Sequence, residues 1–116
     1  MTEAVGMIIV QHVRFAPQNS VPPPDARPIL DEAAKVLLTN PQITLLRVEG
    51  HADASEREPE VIAKRRADEA VAYLIAKGVL PDRLVAAGEG AKKPIADNAT
   101  AEGRAKNRRI EFHIVP

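Results

Sequence analysis

The chain has 116 residues, enough for one compact domain with a single core and little room for a second. Hydrophobic residues make up 45% and charged residues 28%, a soluble globular composition rather than a disordered one. The formal net charge is zero, and Phe15, Tyr73 and Phe112 are the only aromatic residues. General electrostatic capture of nucleic acid or an anionic membrane is therefore unsupported, as is a base-stacking platform. The absence of cysteine excludes disulfides and thiolate metal sites.

The elements follow in chain order. Residues 1–6 lack the basic and apolar regions of a signal peptide and read as an extension ahead of one domain, residues 7–116. On this evidence the sequence is either a piece of a longer exported protein or a chain that starts in the cytoplasm. No run is long and apolar enough to cross a membrane, so membrane attachment would need an upstream segment. Met7 to Phe15 reads as a first strand, with Ile9, Val13 and Phe15 on one face. A Pro-, Asn- and Ser-rich loop, Ala16 to Pro24, leads to Asp25 as N-cap of a first helix, with Pro28 in its first turn. Ile29, Leu30, Ala33, Ala34 and Leu37 form its apolar stripe, and Asn40-Pro41 ends it.

Ile43 to Val48 is nearly all apolar and reads as a central strand. A polar loop, Gly50 to Glu58, precedes Pro59, which suits the first turn of a second helix running to about Lys77 and stopping at Gly78. Its buried stripe is Ala63, Ala67, Ala70, Val71 and Leu74; Arg66 flanks that stripe and Arg65 lies on the opposite face. Leu84 to Ala87 is a short strand. Lys92 to Ala99 is rich in turns, Thr100 caps a short helix to about Asn107, and Arg109 to Val115 is the last strand. The order βαβαβ(α)β predicts an α/β sandwich with helices packed on a sheet and parallel pairs joined by crossovers.

Three segments carry a resemblance. Val48-Glu49-Gly50-His51-Ala52-Asp53 is similar to a G-H-T-D motif. Arg66-Ala67-Asp68-Glu69-Ala70-Val71, followed by Tyr73-Leu74 and Gly78, is similar to R-A-x-x-V-x-x-Y-L. Pro94-Ile95-Ala96-Asp97-Asn98 leads through Thr100 and Gly103-Arg104-Ala105 to Asn107-Arg108-Arg109. In this order, and on these elements, they resemble the OmpA-like domains of porin tails, peptidoglycan-associated lipoproteins and flagellar stator proteins. The resemblance implies an OmpA-like fold with a mixed four-stranded sheet, and a non-enzymatic, cofactor-free module that holds the peptidoglycan stem peptide. The implied target is meso-diaminopimelate, with Asp53 meeting its ammonium, Arg66 its carboxylate and Arg108 lining the site. Gln18, after the first strand, lies near a polar position of the family, and His51 adjoins the site. A periplasmic, cell-envelope location follows from the same resemblance. The sequence does not give an oligomeric state.

Chemically, a zwitterion needs an anion and one or two cations held apart, and the guanidinium fork matches a carboxylate. Read alone, Asp53 is a loop carboxylate, Arg66 an ion-pair partner for Asp53 or Glu60, and Arg108 a cation favoured at a helix C-terminus. Arg104 reads as an ion-pair residue, Arg109 as the start of the last strand and either structural or solvated, Asn98 as a turn residue, and Gly103 as serving close packing or local backbone geometry. Glu56, Glu58 and Glu60 either strengthen attraction for an ammonium or are solvated. Around the site, Ala52 stands where the family has threonine, and loop 54–60 is shorter than usual. Two further readings compete: an interaction domain that kept the fold and lost the ligand, and a hydrolase using His51 and Asp53. His12 and His113 show no metal-ligand spacing, and no metal site is expected.

Overall fold

A computed structural model of the chain describes residues 12–116. Its elements are β1 (Val13–Arg14), α1 (Arg27–Thr39), β2 (Leu46–Gly50), α2 (Pro59–Ala76), β3 (Leu84–Gly88), α3 (Ala101–Asn107) and β4 (Arg109–Ile114). The strands form one mixed sheet in the order β1-β4-β2-β3. β4 runs antiparallel to both β1 and β2, whereas β2 and β3 are parallel and joined through α2. This is the expected α/β arrangement, with β2 central. Positions 7–11 of the expected first strand, and the extension 1–6, lie outside the described residues.

The core forms where α1 and α2 cover one face of the sheet. Leu30, Ala33, Ala34 and Leu37 of α1 meet Ala67, Ala70 and Leu74 of α2 over Leu46, Val48, Ile110 and Phe112. The alanine stripe of α2 lets that helix lie close to the strands. Closest approach comes at Gly50, where a Cβ would overlap the Ala63 carbonyl of α2. Gly78, at φ +106°, closes α2: its N–H reaches the Ile75 carbonyl at 2.9 Å, and the Val79 N–H reaches Leu74 at 3.1 Å. Thr100 caps α3 by accepting the Gly103 N–H at 2.9 Å. At Gly103 a Cβ would strike the Asp97 carbonyl, so close packing is what this glycine serves.

Three expectations are corrected. Asp25 is not a helix N-cap; it lies inside a 3-10 turn, Pro24–Ala26, and α1 begins after it at Arg27 with no side-chain cap. The second strand is Leu46–Gly50 rather than Ile43 to Val48, because pairing sets its limits. Glu49 and Gly50 join the ladder with β3 and β4, while the Asn40 and Ile43 carbonyls are taken by the Arg83 guanidinium at 3.1 and 2.6 Å. Val71 is only partly buried, and Ile62 and Val36 are buried instead.

Candidate ligand-binding site

The site lies at the C-terminal end of β2, where the loop after β1 meets the loop before α2. Arg66, rooted on α2, is fully buried at 0% exposure. Its guanidinium grips both oxygens of Glu56, with Nη1 to Oε1 and Nη2 to Oε2 each 2.6 Å. The remaining N–H groups donate to the carbonyls of Asn19 (2.9 Å), His51 (3.1 Å) and Ala16 (3.3 Å). The group also stacks 5.2 Å above the Phe15 ring. All five of its donors are therefore used.

Glu56 is as fully engaged. Beyond Arg66 it accepts the backbone N–H of Asp53 at 3.1 Å and of Gln18 at 2.8 Å. Gln18 presents its N–H from a left-handed conformation at φ 54°, and its side chain bridges to the Arg57 backbone. Glu58 is also left-handed, at φ 48°, where the chain turns into Pro59. Two non-glycine residues in this sparsely populated region mark where the loops are held against their intrinsic preference.

Asp53 is 1% exposed. Its Oδ2 accepts from Arg108 Nη1 at 2.8 Å, and its Oδ1 accepts from the Ser55 hydroxyl and backbone N–H. Burial works to raise the Asp53 pKa, but the hydrogen bonds from Ser55 and Arg108 outweigh it and hold the carboxyl below its usual range. Arg108 is anchored by its Nε to the Phe15 carbonyl at 2.9 Å. Among the described residues its Nη2 has no hydrogen-bond partner, so one edge of this guanidinium is uncommitted. Beside the network runs a groove of about 320 Å³ lined by Gln18, Arg57, Glu58, Val61, Ile62 and Arg65.

The structure thus brings Asp53, Arg66, Arg108 and Gln18 into one connected set. It does not pair Arg66 with Asp53 or Glu60; Glu56 is the partner, and this carboxylate is neither solvated nor free for an ammonium. His51 contributes only its backbone. Its carbonyl accepts from Arg66, while its ring turns to the other face of the sheet, towards Glu49 (3.4 Å) and Glu111 (3.9 Å). A His51–Asp53 dyad is not formed, which removes the geometric basis for hydrolysis by that pair. Burial, with Arg109 nearby, lowers the His51 pKa and favours the neutral ring.

Asn107 is the residue the sequence reading passed over. Fully buried, it accepts from the Ile95 and Ala96 N–H groups and donates to Ala96 and Asn98, and Asn98 in turn accepts the Ala54 N–H at 3.1 Å. This chain of bonds fastens the segment before α3 to the Asp53 loop. Among the described residues Arg104 has no ion-pair partner; it donates to the Asn98 carbonyl at 2.9 Å. Arg109 is structural, bonded to Glu111, Asn107 and Lys93.

The profile of the OmpA family matches residues 14–108, most of the chain and all of this site. The chain belongs to the OmpA family. Outer membrane protein A of Bordetella avium is 40% identical over 94 residues, which cover 79% of this chain and 48% of that protein. The peptidoglycan-binding protein ArfA of Mycobacterium tuberculosis is 47% identical over 53 residues, 46% of this chain and 16% of that protein. Among solved structures, the peptidoglycan-associated lipoprotein of Burkholderia pseudomallei superposes with a TM-score of 0.83 at 22% identity, covering 90% of this chain and 89% of that one. At that identity the likeness establishes the OmpA-like fold. The chain spans about half the length of the Bordetella relative and far less of ArfA, so the domain corresponds to one part of those proteins.

Proposed function

We propose that this OmpA-family domain binds peptidoglycan without a covalent bond, through the stem peptide, and so tethers an envelope protein to the cell wall in the periplasm. The observation that carries the reading is the convergence of Asp53, Arg108 and Arg66 in one network at the loop end of β2. The peptidoglycan-binding relative ArfA supports it. A diaminopimelate side chain carries an ammonium and a carboxylate at one end. Asp53 supplies the anion for the first. The free edge of Arg108 supplies a cation for the second, and the groove beside Gln18 gives the rest of the peptide a bed. Affinity comes from charge-assisted hydrogen bonds to these two groups. Neither bond cleavage nor a cofactor is part of this function.

Isothermal titration calorimetry with a diaminopimelate-containing stem peptide, and cosedimentation with purified sacculi, test the proposal. Binding by the intact domain should fall at least tenfold in Asp53→Ala and in Arg108→Ala. An intact domain that binds neither peptide nor sacculi refutes it. One observation favours the alternative of an interaction domain with weakened wall binding: Glu56 already fills the carboxylate slot of Arg66. On that alternative, Glu56→Gln binds the stem peptide more tightly than the natural chain does.

A further inference from the structure

The face of the sheet turned away from α1 and α2 carries a second cluster. Glu49 on β2 and Glu111 on β4 stand directly opposite one another in the antiparallel ladder. Two carboxylates in that position repel unless a cation lies between them. Each has an arginine on its Oε2: Arg47 Nε is 3.0 Å from Glu49, and Arg109 Nε is 2.7 Å from Glu111. Both Oε1 atoms are left facing a common space.

Two histidine rings face the same space. Nε2 of His113 lies 2.9 Å from Glu111 Oε1 and 3.5 Å from Glu49 Oε1. Nε2 of His51 lies 3.4 Å from Glu49 Oε1 and 3.9 Å from Glu111 Oε1. His51 is 1% exposed, and neither of its ring nitrogens has a hydrogen-bond partner among the described residues. A buried imidazole left unpaired is costly, and this one is aimed into the cluster. His113 is about half exposed, which leaves a route from solvent.

We propose that Glu49, Glu111 and His113 form a binding site for a divalent transition-metal ion of the zinc class, with the buried His51 ring facing the same space. Zinc holds nitrogen and carboxylate oxygen at about 2.0–2.2 Å, so the ligand atoms of a tetrahedral site stand about 3.3–3.5 Å apart. One ligand atom from each of Glu49, Glu111 and His113 lies within 4.8 Å of the others, and the two separations from His113 to the carboxylates, 3.5 and 2.9 Å, are close to that edge length, which leaves the fourth position for water. An imidazole with two carboxylates suits zinc, with nickel or cobalt as substitutes. The ion neutralises the opposed carboxylates, and a water bound to it gives His51 Nε2 a hydrogen-bond partner. It also ties β2 to β4 on the face that the helices leave uncovered. Arg47 and Arg109 orient the carboxylates from behind, the role that groups around a metal's ligands commonly play. His12, 3.9 Å from Glu111 on the Oε2 side, is not part of the set.

The test uses the chelator-stripped domain and the metal alone. Calorimetry with Zn2+ should show one saturable site per chain, and Co2+ should give the intense visible bands of four-coordinate cobalt. His113→Ala, at an exposed position compatible with folding, and Glu111→Gln should each weaken Zn2+ at least tenfold and abolish the cobalt bands. His12→Ala should stay within twofold of the unsubstituted domain. Absence of saturable binding overturns the proposal, as does unchanged affinity in His113→Ala. A loss in His12→Ala equal to that in His113→Ala overturns this choice of ligands.

Discussion

Removing Glu56 is the perturbation whose consequence the structure defines most sharply. In Glu56→Ala the Arg66 guanidinium, at 0% exposure, loses the one charge partner it has among the described residues and keeps three carbonyls. Breaking a buried ion pair from one side costs about 3–5 kcal/mol. The Asp53 and Gln18 N–H groups lose their acceptor as well, but water entering the vacated volume offsets part of that loss. A net loss of about 4 kcal/mol is a large share of the roughly 5–15 kcal/mol that holds a domain together. With a urea slope of about 2 kcal/mol per molar, the unfolding midpoint followed by circular dichroism should fall by about 2 M. Glu56→Gln, which keeps the shape and an acceptor, should lose about half as much in stability. The hole left by Glu56→Ala is carboxylate-shaped and faces a bare guanidinium. Acetate should therefore raise the midpoint of this variant and leave that of the natural chain unmoved. A loss below about 1 kcal/mol in Glu56→Ala would show that Arg66 does not depend on this carboxylate, and the account of the network would fail.

Other outcomes follow from single contacts. Asp53 has a depressed pKa in the folded state, so its stabilising contribution is full above the unfolded value of about 3.9 and is lost as pH falls through the folded one. Acid titration of stability should accordingly be shallower below about pH 4 in Asp53→Asn. Gly50→Ala should destabilise by about 3 kcal/mol or more, measured by thermal melting, because its methyl group and the α2 backbone at Ala63 cannot share one place. Thr100→Ala should cost about 1 kcal/mol in chemical denaturation through loss of the α3 cap.

Much of the fold could be read from punctuation. Asn40-Pro41, Pro59, Gly78 and Thr100 each mark an element boundary by a backbone property that the residue itself carries, and each boundary falls where it was expected. The limits of β2 could not be read in that way. Whether Ile43 or Gly50 joins the ladder depends on the partners across the sheet, and the Ile43 carbonyl is taken by Arg83, which is distant in sequence. Asp25 misled for a related reason: the residue type fits a cap, but the chain first makes a 3-10 turn among three prolines.

The candidate site was legible as a set of residues, not as a wiring diagram. Asp53, Arg66, Arg108 and Gln18 converge, yet the decisive partner, Glu56, belongs to a run of alternating glutamates that a sequence cannot tell apart. Only the αL turn at Gln18 and the folding-back of loop 53–58 select Glu56 for burial beside Arg66. The histidines were illegible for the complementary reason. They are widely separated in sequence, and only the β1-β4-β2 order sets His12, His51 and His113 around one pair of carboxylates. His51 joins both regions, since its carbonyl binds Arg66 on one side of β2 and its ring faces Glu49 and Glu111 on the other. The alternation of a strand divides adjacent groups between opposite faces. At this strand end, that alternation separates the network of fixed charges proposed to hold a ligand from the cluster proposed to hold a metal.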